Sequence, residues 1–221
     1  NQREADLDNV VHFPPGSDAS RKLGWLDACF LADKEVPARS WHVEDLIPTG
    51  TVTILNGDGG TGKSLISLQL AVATVMGSFW LGRQCRKGPC YFMTAEDDID
   101  ELHRRLIDIA AHQQCNIADM ENLAITSLAG EDALMAIPTG KSNLIKPTPL
   151  FEEVERNVGD LQPALVVFDT LADMFGGEEN SRAQARQFIS ILRGLAIHND
   201  TTVLLLAHPS LSGIASGSGS S

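Results

Sequence analysis

Apolar residues in this chain gather in five short runs, separated by longer stretches in which they recur every three or four positions. The runs cover residues 51–55, 89–95, 123–128, 164–169 and 202–207. A short, nearly continuous apolar run rich in β-branched residues is the pattern of a strand buried on both faces. The stretches between them predict helices over 65–73, 98–113, 149–158 and 181–198. In 98–113, Leu102, Leu106, Ile109 and Ala110 share one face. Asp98 and Ser181 stand where helix caps belong. Residues 129–148 mix Gly, Pro and Lys with short apolar pieces and read as a hairpin or loop. Strands alternating with helices predict an α/β fold, a mostly parallel central sheet flanked by helices on both faces.

The ends of the chain are different. Pro14-Pro15-Gly16 marks a turn or linker, 23–32 suits a short helix, and 41–48 leads into the first strand. Residues 1–47 are expected to be an N-terminal extension packed on the core, 48–209 the main domain, and 210–221, mostly Ser and Gly, a flexible loop or tail. The first residue is Asn, not Met, and the polar start is no signal peptide, so a fragment or a processed chain is expected.

The segment between the first strand and the first helix carries the chemistry. Gly57-Asp58-Gly59-Gly60-Thr61-Gly62-Lys63-Ser64 fits G-x-x-x-x-G-K-[ST], the phosphate-binding P-loop, without mismatch. Glycines let backbone N–H groups approach phosphate oxygens closely, and the helix that begins here, with Leu65 in its first turn, adds the positive end of its dipole. Lys63 supplies a point charge for the β- and γ-phosphates, and the Ser64 hydroxyl is placed to ligate Mg²⁺. The strand before it and the helix after it set this match apart from a chance glycine-rich turn.

A nucleoside triphosphatase needs a second group on the metal. Asp169 closes the apolar run 165–168, the Walker B pattern, and a carboxylate at the carboxyl end of a parallel strand lies on the ligand edge of the sheet. There it can hold Mg²⁺ through water. The residue after it is Thr170, so no Glu follows directly to orient an attacking water. The candidate base is Glu96, in Thr94-Ala95-Glu96-Asp97-Asp98 at the end of the second strand, on the expectation that this strand neighbours the P-loop strand. Asp97 is the weaker candidate, and Asp98 reads as a cap. His208 ends the fifth strand on the same edge, where it can be structural or can hydrogen-bond a γ-phosphate.

Composition narrows the partners. The 221 residues hold 17 Lys and Arg against 29 Asp and Glu, a formal charge of −12, which argues against a surface coated for nucleic acid. A local basic groove stays open; Arg83, Arg86 and Lys87 form one small cluster, read as a solvated face, and Arg104 and Arg105 another. Cys29, Cys85, Cys90 and Cys115 form no C-x-x-C pair, so reduced thiols and a cytoplasmic location are expected, without a zinc site. No run of about 18 apolar residues exists, and no membrane partner is expected.

Taken in order, residues 57–64, Ala95-Glu96-Asp97, the Asp169 strand and Leu206-Ala207-His208 resemble the RecA-like P-loop ATPases. Within that class, 41–217 is most similar to the RepA-type replicative helicases of plasmids and phages, related to DnaB. Residues 171–180 resemble the prophage members. The resemblance implies ATP and Mg²⁺ as cofactors and a homo-oligomeric ring, usually a hexamer, with ATP between subunits. It implies single-stranded DNA and replication proteins as partners, Lys63, Ser64, Glu96 and Asp169 in the roles above, and His208 as phosphate sensor. The segment after His208 would face DNA, yet it has no Lys, Arg or aromatic residue and offers no arginine finger. An ATP-dependent regulatory or assembly switch without unwinding is the alternative. A small-molecule kinase is a third, less suited to a base on its own strand.

Overall fold

The computed structural model describes residues 24–140, 144–177 and 181–208. The chain divides into two compact units, Asn1–Arg39 and Ser40–Ser221. In the first, the helix expected over 23–32 reduces to a 3₁₀ turn, Ala28–Leu31, whose N-cap Asp27 accepts from the Cys29 N–H at 3.1 Å. The turn at Pro14-Pro15-Gly16 and the tail 210–221 lie outside the described residues.

The second unit opens with a small antiparallel pair, β1 (Trp41–Val43) and β2 (Ile47–Pro48). β3 (Val52–Asn56) runs into the glycine loop and then α1 (Lys63–Met76), which starts two residues earlier than the sequence pattern suggests. A tight ribbon follows, β4 (Phe79–Trp80) and β5 (Arg83–Gln84), then β6 (Cys90–Thr94) and α2 (Ile99–Gln113). The Asp98 side chain caps α2 by accepting from the Glu101 N–H at 2.8 Å, as expected. β7 (Leu123–Ser127) leads to a hairpin, β8 (Ala136–Pro138) and β9 (Ile145–Pro147). The remaining elements are α3 (Pro149–Leu161), β10 (Leu165–Asp169), the one-turn α4 (Leu171–Met174), α5 (Arg182–His198) and β11 (Thr202–Ala207). Ser181 is the N-cap of α5, but its side chain makes no capping hydrogen bond.

The five long apolar runs form one all-parallel sheet in the order β3-β11-β10-β6-β7. This corrects one expectation: β6 does not neighbour β3, because β11 and β10 lie between them. The reason is burial. Every residue of β10 and β11 is buried, whereas β3 and β7 are part-exposed along their length. The two most apolar strands take the centre, which places the less apolar ones at the rims.

Side-chain alternation splits the sheet between two cores. Leu165, Val167, Leu204 and Leu206 face α1 and α2, packing with Leu68, Ala71, Val72 and Leu106. Val166, Phe168, Val203 and Leu205 face α3 and α5, packing with Val154, Val158, Phe188 and Leu192. Helices therefore cover both faces, the architecture of a P-loop NTPase.

One polar group is sealed in the first layer. His42 is fully buried, with Nε2 3.0 Å from the Thr74 hydroxyl. That hydroxyl donates to the Leu70 carbonyl, so His42 Nε2–H is the donor and its Nδ1 is left without a partner. Burial, with Arg86 nearby, pushes its pKa down to about 4.

Candidate functional site

All five strands point the same way, and their carboxyl ends line up. Asn56 pairs with Ala207, and Thr94 pairs with both Asp169 and Ser127. The sequence-nominated residues sit at this edge or just beyond it.

The glycine loop spans the gap from β3 to α1. Its first amide, Gly57 N–H, donates to the Ala207 carbonyl at 3.3 Å and so ties the loop to β11. The Thr61 hydroxyl donates to the Asp58 carbonyl at 2.8 Å and closes the turn. Gly62 is the N-cap of α1 with φ 84°, a left-handed backbone that a side chain strains. At Gly57 the need is spatial, since a Cβ would stand 3.1 Å from Thr61 Oγ1 and against the stem of Lys63. Above Gly59, Gly60 and Gly62, by contrast, no atom lies within 4 Å of a built Cβ, so the loop frames open space. Gly62 brings no side-chain cap, so the amides of Lys63, Ser64 and Leu65 have no described acceptor, and the first intrahelical bond is Ile66 N–H to the Gly62 carbonyl. Amides without a helical partner, at a helix N-terminus beside this open loop, suit an anion the size of a phosphate.

Lys63 is buried. Its Nζ donates to the carbonyls of Gly57 at 2.7 Å and Asp58 at 2.9 Å. A third contact, 3.3 Å, runs to His208 Nδ1. The other ring nitrogen, His208 Nε2, lies 3.4 Å from Glu96 Oε1. Lys63, His208 and Glu96 thus form one chain of contacts from the start of α1 past the end of β11 to the loop after β6, although two strands stand between β3 and β6. The His208 and Glu96 side chains are 34% and 43% exposed, so water and a ligand can reach both.

Asp169 is fully buried at the end of β10. Its Oδ2 accepts from the Thr94 hydroxyl at 3.4 Å, and the Ser64 hydroxyl lies near enough to the carboxyl to favour its charged form. Oδ1 has no partner. Burial pushes this carboxyl up to about 6; the Ser64 hydroxyl opposes the shift, and Glu96 and Asp97 add to it. A buried carboxylate with an orphaned oxygen, beside a serine hydroxyl and an anion cradle, fits a divalent cation. Among the described residues no group of three or more His, Cys, Asp or Glu could hold a metal alone. An ion here would take most of its oxygens from phosphate and water, as Mg²⁺ does in nucleotide sites.

Thr94 carries no signal in the P-loop or Walker B motifs, and sequence reasoning missed it. It is fully buried, and its oxygen accepts from the N–H groups of Glu96 at 3.2 Å and Asp97 at 3.3 Å while its hydroxyl reaches Asp169. A strand-end Thr with two amides following is a Ser/Thr turn, and that local pattern is the clue that was available.

Asp97 is committed elsewhere. It pairs with Arg105, which also binds Glu101 at 2.9 Å, and its carbonyl accepts from Ser127. Burial raises its pKa, with Arg105 pulling the other way. Glu96 is the acid of this run that turns toward Lys63. The arginines of the basic clusters also pair within the chain: Arg83 with Asp45, Arg86 with Asp200, and Arg104 and Arg105 with Glu101. The cysteines are free thiols; burial raises Cys85 to about 11 and pushes Cys90 higher still. No described helix is long and apolar enough to cross a membrane.

The arrangement offers, at one sheet edge, free amides, an ammonium, a hydroxyl and two carboxylates, the set needed to hold a nucleoside triphosphate and aim water at it. A comparison with protein families agrees: the model for the AAA domain matches residues 18–213. The chain belongs to this AAA domain family and is a nucleotide-binding ATPase.

Proposed function

We propose that this ATPase hydrolyses Mg-ATP to drive movement on, or remodelling of, single-stranded DNA, as a RecA-like subunit of a homo-oligomeric ring, a hexamer, in replication. The observation that supports the hydrolytic part is the continuous chain Lys63–His208–Glu96 beside the buried Asp169 carboxyl. In this reading Gly57, Asp58, Gly59, Gly60, Thr61, Gly62 and the Lys63, Ser64 and Leu65 amides wrap the phosphates. Ser64 and, through water, Asp169 hold Mg²⁺. The ion's contribution is to neutralise phosphate charge. Lys63 exchanges its carbonyl acceptors for phosphate oxygens, and Glu96 orients the attacking water. The resemblance to RepA-type helicases supports the DNA role. The test is ATP turnover with and without single-stranded DNA, together with strand separation. Turnover unmoved by DNA, with no strand separation by the full-length protein, rejects the motor.

The net charge of −12, with the arginines of the basic clusters paired to acids of the same chain, favours a second reading: an ATP-dependent assembly or regulatory switch without unwinding. Nucleotide-driven oligomerisation without directional movement selects it.

A further inference from the structure

The contacts of His208 fix its chemistry. A lysine ammonium only donates, so His208 Nδ1, 3.3 Å from Lys63 Nζ, must be the accepting nitrogen. The proton of a neutral ring then sits on Nε2, where it faces Glu96 Oε1 at 3.4 Å and donates to it. One imidazole, in one tautomer, is spanned by the phosphate-binding cation on one side and the water-orienting acid on the other.

We propose that His208 is a positioning residue that latches the site by tying Lys63 to Glu96. This rests on the ATPase reading above and adds to it an order of events. An arriving phosphate draws the Lys63 ammonium off Nδ1. The ring then loses one of its two anchors, and Glu96 is released to orient water. The acid is therefore freed only after Lys63 has found phosphate. A sensor of the γ-phosphate alone acts differently: it touches the ligand after binding and distinguishes ATP from ADP. The latch acts before binding and opposes both nucleotides equally.

The experiment measures affinity for fluorescently labelled ADP and for a non-hydrolysable ATP analogue, by anisotropy, on the chain as it stands. Removing the latch with His208→Ala frees Lys63 from one acceptor. Both ligands should bind about 2- to 10-fold tighter, the range of one net hydrogen bond. His208→Asn keeps an acceptor at the Nδ1 position and should return both affinities to the wild-type value. Glu96→Ala and the His208→Ala/Glu96→Ala pair complete a cycle, and their effects should be non-additive, since both break the same chain. Unchanged affinities in His208→Ala overturn the latch, as does weaker binding of the ATP analogue with ADP unmoved, which marks a γ-phosphate sensor. Additive effects in the cycle overturn the link to Glu96. Wild-type protein that binds and turns over ATP while His208→Ala fails these tests leaves the ATPase reading standing. Wild-type protein that binds no nucleotide removes both.

Discussion

Replacing Asp169 by Asn should make the nucleotide-free protein more stable at neutral pH while disabling it. The side chain is fully buried, Oδ1 has no partner, and burial pushes the pKa to about 6 from an ordinary 3.8. A folded-state pKa raised in this way means that the fold prefers the protonated form. The associated stability is fully present below pH 3.8 and is lost as pH rises through 6. A shift of about two units corresponds to about 3 kcal/mol at pH 7 and above. Asn is neutral at every pH and nearly the shape of the protonated acid. Any cost of orienting the amide near Oδ1 is the same at all pH values, so it cancels when one pH is compared with another. Urea denaturation of wild type and Asp169→Asn at pH 4 and pH 7.5 should show the difference between the two proteins moving by about 2.5 kcal/mol in favour of Asn as pH rises, part of the full effect being already lost at pH 4. Added Mg²⁺ and nucleotide should stabilise wild type more than the variant, because only the carboxylate gains from the ion. A difference that stays constant from pH 4 to 7.5, or that moves toward Asp, refutes the argument that this buried acid is held at a cost.

Three further outcomes follow from the geometry. Lys63→Ala removes the ammonium that now rests on two carbonyls and His208; nucleotide affinity should fall by about 10- to 100-fold, the range for hydrogen bonds to charged groups, and unchanged binding and steady-state kinetics remove its phosphate role. Glu96→Gln should keep nucleotide bound and slow turnover by about 10² or more; if Asp97→Asn does this instead, the assignment of the base moves to the residue that Arg105 now holds. His42, kept neutral by burial with its pKa near 4, contributes fully above about pH 6.5 and loses that contribution as pH falls toward 4. Between pH 7 and 4.5 wild type should therefore lose about 2–3 kcal/mol more than His42→Gln in denaturant melts, and parallel losses refute the reading.

The strands were legible because a parallel sheet needs unbroken apolar runs. The P-loop was legible because phosphate binding restricts residue type position by position. The Asp98 cap could be read from one side chain and its place. What local sequence does not encode is which strands touch. The order β3-β11-β10-β6-β7 is set by which runs are apolar enough for the centre, a competition across the whole chain. Glu96 was therefore named for the wrong neighbour: it reaches Lys63 through His208 and not from an adjacent strand. The single turn α4 is too short to show a period, and the cap at Ser181 failed because residue type alone does not aim a hydroxyl. Thr94 escaped notice because one of its three partners, Asp169, comes from a strand far along the chain.

That threonine has a consequence for timing. One oxygen is shared between the carboxyl that ends β10 and the two amides that carry Glu96 and Asp97. Any tug on the first is felt at once by the second. In the proposed mechanism, loading a cation and setting the water-directing acid would thereby be geared to a common axle, and a substitution such as Thr94→Val, which keeps the volume and strips the oxygen, would let the two halves drift out of step.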